Sequence, residues 1–115
     1  MKNIDIEDKL YSFIKDFGDD LNSLELLLFF SRHPHARFNR TAVIHAVTTQ
    51  TFDTGIALKR LTDKKIIVTY IENGITLYAL TLEEPLHSLA AQLNSIDQRQ
   101  WQIVLEHILD AQGIE

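Results

Sequence analysis

Two runs rich in β-branched and aromatic residues, Ile66-Ile67-Val68-Thr69-Tyr70-Ile71-Glu72 and Ile75-Thr76-Leu77-Tyr78-Ala79-Leu80-Thr81, flank a single Asn73-Gly74 step. Asn and Gly both tolerate the positive φ that the central residues of a type I′ turn require, so this stretch predicts an antiparallel hairpin. Before and after it, the apolar residues recur with a helical period instead. The chain is therefore expected to be mainly α with one small β-hairpin.

The helices can be placed from their spacing and their ends. Ile6, Leu10, Ile14 and Phe17 share one face of a helix over about 4–17, and Gly18 follows as a left-handed stop. Asn22-Ser23-Leu24-Glu25 has the spacing of a reciprocal N-terminal cap. The second helix it would open carries Leu24 and Leu26 to Phe30, apolar almost all round. It is the expected centre of the core, and Pro34 ends it. Asn39 reads as the cap of a third helix, Arg40 to about Thr48, with Val43, Ala46 and Val47 inward. A fourth covers about 52–64, with Thr54, Leu58 and Leu61 on one face. After the hairpin, Pro85 suits the first turn of a helix carrying Leu86, Leu89, Ala90 and Leu93. Ser95-Ile96-Asp97-Gln98 has capping-box spacing for the last helix, which carries Trp101, Val104, Leu105 and Ile108.

A length of 115 residues fits one domain. Within it we distinguish an N-terminal helix (1–20), a central unit (21–81) and C-terminal helices (82–115). The absence of cysteine excludes disulfides, thiolate nucleophiles and cysteine-ligated metals. The longest purely apolar run, Leu26–Phe30, is far shorter than the roughly 20 residues of a membrane span. The acidic N-terminus does not read as a signal peptide. A cytoplasmic protein with no membrane partner is expected.

The net charge of −5 argues at first against a nucleic-acid partner. Its distribution argues otherwise. Residues 32–65 carry seven basic side chains against two acidic ones, whereas both flanking segments are strongly acidic. Such asymmetry marks either an electrostatic footprint or a solvated face of ordinary lysines and arginines.

Three helices, the second and third short and joined by a polar link, followed by a hairpin, is the order of a winged helix-turn-helix. Residues from about Leu24 to Thr81 resemble that family. The match is strongest from Thr41 to Val68, where a positioning helix, a turn and a recognition helix end in Leu61, four residues, then Ile66. With one helix before and two after, the arrangement is similar to dimeric bacterial regulators of the multiple-antibiotic-resistance (MarR-like) type. The resemblance implies a sequence-specific DNA-binding transcription regulator whose terminal helices form a homodimer. The stripes Leu86, Leu89, Leu93 and Trp101, Val104, Ile108 either pair across a two-fold axis or cover the core of their own subunit.

A recognition helix reads base edges from its N-terminal end while flanking cations hold phosphates. Thr49, Gln50 and Thr51 are the candidates for base contact, since glutamine can pair with adenine and threonine can touch a thymine methyl. Lys59 and Arg60 project away from Leu58 and Leu61. Arg37 and Arg40 lie at the start of the positioning helix, and Lys64 and Lys65 at the far end of the recognition helix. Two features oppose DNA. Phe52 and Ile56 fall opposite the Leu58–Leu61 face, either as a protein-binding pair or with Phe52 as a staple on the first turn. The wing tip reads Glu72-Asn73-Gly74, and a phosphate would repel Glu72. The alternative is a winged-helix module for protein–protein interaction. A small apolar effector between the wing and the terminal helices is a third option, with no residue that identifies it.

His33, His35 and His45 lack metal-ligand spacing, so no metal and no cofactor is expected. No glycine-rich phosphate loop, nucleophile elbow or paired-carboxylate motif is present. Asp19-Asp20 and Glu83-Glu84 sit at helix starts, where acids favour the macrodipole. A non-enzyme is the reading.

Overall fold

The computed structural model describes residues 8–47 and 51–111, with only the backbone for residues 8, 51–53, 98 and 107–111. The elements run α1 (Asp8–Phe17), α2 (Leu21–Arg32), β1 (Phe38–Asn39), α3 (Arg40–Ala46), α4 (Thr51–Asp63), β2 (Ile67–Glu72), β3 (Ile75–Leu80) and α5 (Leu86–Ala91). A 3₁₀ turn over Gln92–Ser95 and α6 (Gln98–Ala111) complete the described elements. The strands form one antiparallel sheet in the order β1-β3-β2. This is a winged helix-turn-helix: α2, α3 and α4 carry a β2–β3 wing, with one helix before them and two after.

The hairpin forms as expected. Glu72 pairs with Ile75 across the turn, where Asn73 and Gly74 take φ of 54° and 79°. The third strand is the short link before α3: Phe38 pairs with Tyr78 and Asn39 with Leu77. That pairing ties the start of α3 to the wing.

The core is built around α2, whose Leu26, Leu27 and Phe30 are wholly buried. Leu10, Phe13 and Ile14 of α1 pack on it from one side, and Val43, Ala57, Leu58 and Leu61 of α3 and α4 join from another. Ile66, Ile67 and Leu80 bring the base of the wing into the same cluster. Ile6 of the first stripe lies outside the described residues.

Several helix ends differ from expectation, each for a physical reason. Gly18 is not left-handed, since Lys65, Asn73 and Gly74 hold the positive φ values among the described residues. A Cβ on Gly18 would stand 3.1 Å from Leu24 Cδ1 and 3.3 Å from Leu27 Cδ1, so close approach of α1 to α2 favours glycine there. Asp20, not Asn22, caps α2: its carboxylate accepts from the Ser23 amide at 2.8 Å. A carboxylate on the positive end of a helix outcompetes an amide two residues later. The last helix likewise opens on Asp97 rather than Ser95. Asp97 and Gln100 exchange backbone-to-side-chain bonds of 2.9 and 3.0 Å in a reciprocal box. α3 stops at Ala46, before the β-branched run Val47-Thr48-Thr49, and Val47 is already extended. Ala46, expected inward, is consequently exposed, whereas Val43 is fully buried.

α4 ends without a glycine. Lys65 takes φ 68°, its amide donates to the Thr62 carbonyl at 3.0 Å, and the Ile66 amide donates to the Leu61 carbonyl at 3.2 Å. This paired closure, with buried Leu61 and Ile66 at its two ends, swings the chain directly into β2.

Candidate nucleic-acid interface

Asn39 accepts from the Ala42 amide at 2.8 Å and so starts α3, which places Arg40 in its first turn. The Arg40 guanidinium lies against α4 at Gly55, where a Cβ would overlap Arg40 Nη2. Glycine inside a helix costs about 1 kcal/mol relative to alanine. Here the absent Cβ is the room that the guanidinium occupies. Around it runs an open hollow of about 610 Å³ that includes Ile44, Ile56, Lys59 and Asp63. A second hollow of about 350 Å³ shares Arg40, Gly55 and Lys59 and reaches Thr69 and Tyr78 at the base of the wing.

The two sides of α4 differ sharply. Thr54, Ala57, Leu58 and Leu61 are buried, whereas Ile56 is 50% exposed and Lys59 stands in solvent. Lys59 makes only a surface ion pair with Asp63, one turn on, at 3.0 Å. Such exposed i,i+4 pairs contribute about 0.3–0.5 kcal/mol and yield readily to a stronger anion.

The other cations of the basic segment are distributed unevenly. Arg37 is paired with Glu72, and its guanidinium stands 3.8 Å over the Tyr70 ring. The acid at the wing tip is thereby neutralised by the arginine at the start of β1. Arg60 is paired with Asp20 and, at 3.2 Å, with Asp19. Lys64 Nζ donates to the Asp16 carbonyl at 2.7 Å. Arg32, Arg40 and Lys65 have no ion pair or hydrogen-bonded side chain among the described residues. Burial alone would push the Asp20 carboxyl up, but the Ser23 amide and the Arg60 guanidinium outweigh it and hold it below the usual carboxylate range. Arg60 is raised in turn, chiefly through its hydrogen bond to Asp20.

Of the base-reading candidates, Thr49 and Gln50 lie outside the described residues, and Thr51 opens α4 with only its backbone described. The same holds for the Phe52 side chain. Gly55 had a signal that spacing overlooks: an isolated glycine in mid-helix is an unfavourable choice that calls for a reason. Asp19 and Asp20 do sit before a helix, as expected, yet they also face Arg60 forty residues away.

In the terminal helices, Leu93 and Val104 are each 1% exposed in the single chain, so they belong to its own core. Leu86, Leu89 and Trp101 are half-buried at its edge, and only the backbone of Ile108 is described. Asn94 anchors the 3₁₀ turn by donating to the Ser31 carbonyl at 2.7 Å, at the end of α2.

His33 and His35 are exposed, as read from the loop around Pro34. His33 nevertheless meets the Phe29 ring at a tilt and the Phe38 ring edge-on, and His35 meets the His87 ring at 5.1 Å. Among the described residues no group of three or more His, Asp or Glu is arranged to hold a metal ion. No helix among them is long and apolar enough to cross a membrane.

No protein-family model matches the sequence, and no curated protein matches it. Among solved structures the chain is similar to the heme sensor protein PefR in complex with heme and carbon monoxide. The identity is 16% and the TM-score 0.49, over 93% of this chain and 72% of that one.

Proposed function

We propose that this chain is a DNA-binding transcription regulator that meets duplex DNA with the outer side of α4 and acts as a cytoplasmic homodimer. The observation that carries the reading is Arg40, seated in the gap at Gly55 beside exposed Lys59 and without an acidic partner among the described residues. Thr49, Gln50 and Thr51, at the leading end of α4, read base edges in the major groove. Arg40, Lys59 and Lys65 hold phosphates. Lys59 does so by releasing its surface pair with Asp63, and Arg37, Arg60 and Lys64 join only by giving up the partners they already have. Dimerisation uses the half-buried Leu86, Leu89 and Trp101, with Ile108 on the same stripe, while Leu93 and Val104 support them from the core. Neither an enzymatic reaction nor a bound cofactor is part of this reading.

The test is fluorescence anisotropy on a pool of sheared genomic duplexes, at low salt and then through a salt titration. Phosphate contacts release counterions, so affinity should fall steeply with ionic strength. No binding at low salt would overturn the reading.

A second reading rests on Ile56. Its half-exposed side chain, with Ile44 in the same hollow, offers apolar contact that a phosphate-lined surface does not need. A protein-binding winged helix would lose its partner on Ile56→Ser and keep whatever affinity it has for DNA.

A further inference from the structure

Arg60 stands at one wall of the outer hollow, one residue after Lys59, and its charge is turned the other way. Nη1 donates to Asp20 Oδ2, while Nη2 lies 3.2 Å from Asp19 Oδ1. Asp20 Oδ1 is meanwhile taken by the Ser23 amide, so both oxygens of that carboxylate are committed, one to the cap of α2 and one to α4. Lys64, just past the end of α4, donates to the Asp16 carbonyl in the last turn of α1 and sits 6.0 Å from the Phe17 ring. A cation at that end of a helix also meets the negative pole of its macrodipole. Two cations one turn apart thus tie α4 to both helices that meet at the α1–α2 corner.

We infer that Arg60 is a positioning residue that locks the recognition helix onto the α1–α2 corner through Asp20 and Asp19, with Lys64 as the second tie. This rests on the DNA-binding reading for its consequence, though not for its geometry. Burial, the Ser23 amide and Arg60 together leave Asp20 below the usual carboxylate range, so the lock is charged at neutral pH. An arginine fork suits two adjacent carboxylates better than a lysine point charge would.

The claim makes an unusual prediction for an acidic residue near a DNA-binding surface. Removing a negative charge there ordinarily strengthens DNA binding. Asp20→Asn keeps an oxygen that can accept from the Ser23 amide and so preserves the cap, but it abolishes the Asp20–Arg60 ion pair and leaves Arg60 only Asp19. Asp20→Asn and Arg60→Ala should each weaken DNA binding by roughly fivefold, the factor a partly exposed ion pair carries. The double variant should be no weaker than either single one. The salt slope should stay at the wild-type value in both, because no phosphate contact is lost. Tighter binding by Asp20→Asn, or a slope lowered by about one in Arg60→Ala, would overturn the assignment and make Arg60 a phosphate contact. Hydrogen exchange of the α4 amides in the free protein judges the lock without DNA. Faster exchange in both single variants, not compounded in the double, is expected, and unchanged exchange would overturn the lock. If the wild-type protein binds no DNA, the regulator reading fails while the exchange result still decides the lock.

Discussion

Arg60, a residue of α4, and Arg40, which lies against that helix, both border the outer hollow but commit their charges differently. Arg60 sets its guanidinium between Asp19 and Asp20, whereas Arg40 lays its own in the gap left by Gly55 and meets no acid among the described residues. The same contrast runs through the whole basic segment. Arg37, Lys59, Arg60 and Lys64 are engaged within the chain, and Arg32, Arg40 and Lys65 have no such partner among the described residues. A run of positive charge along a sequence therefore counts cations, not cations at liberty to meet an anion. Acids far away in sequence decide the difference.

The largest effect should separate the inward and outward sides of α4. Leu58→Ala removes a side chain buried in the core cluster and should cost about 2–5 kcal/mol in urea denaturation. Ile56→Ala, two residues earlier on the half-exposed side, should change stability by no more than about 0.5 kcal/mol. Equal losses would mean that α4 packs differently from this account.

The engaged and free arginines come next. Arg60→Ala should lower stability by about 1 kcal/mol, the upper end for a partly exposed pair, while Arg40→Ala should leave it nearly unchanged. The pH dependence has a definite sign. Asp20 is held below its unfolded value, so its contribution is fully present above about pH 4 and is lost as pH falls through the lower folded value. Asp20→Asn should flatten that part of the acid limb, and an unchanged limb would count against the pairing.

Two substitutions should raise stability while weakening DNA binding. Lys65→Gly relieves a left-handed residue at the end of α4 and should gain about 1 kcal/mol, while removing one free cation. Gly55→Ala should gain somewhat less than the roughly 1 kcal/mol of helix propensity, because the new Cβ must push the Arg40 guanidinium aside. Thermal or urea midpoints and the anisotropy titration read both halves of each prediction. A Gly55→Ala protein that binds DNA as tightly as wild type would remove Arg40 from the interface.

The sequence carried the fold well because its signals are local. Asn73-Gly74 dictates its own turn, and the apolar stripes of α2 and α4 dictate which side is buried. Helix ends were less legible. Two caps lay two residues from where spacing put them, since a carboxylate competes with every hydroxyl or amide nearby. Gly18 illustrates the same limit: close approach of Leu24 and Leu27 explains it, and no local rule contains that contact. The interface was legible only as a segment. Arg40 with Gly55, Arg37 with Glu72, and Arg60 with Asp20 are pairings between distant residues, which spacing along one helix cannot reveal.

The most direct test compares the salt dependence of DNA binding for Arg40→Ala and Arg37→Ala with that of the wild type. The account predicts that Arg40→Ala lowers the slope by about one, the loss of a single phosphate contact, and that Arg37→Ala leaves it unchanged. Equal slopes for all three proteins, or a loss confined to Arg37→Ala, would contradict it.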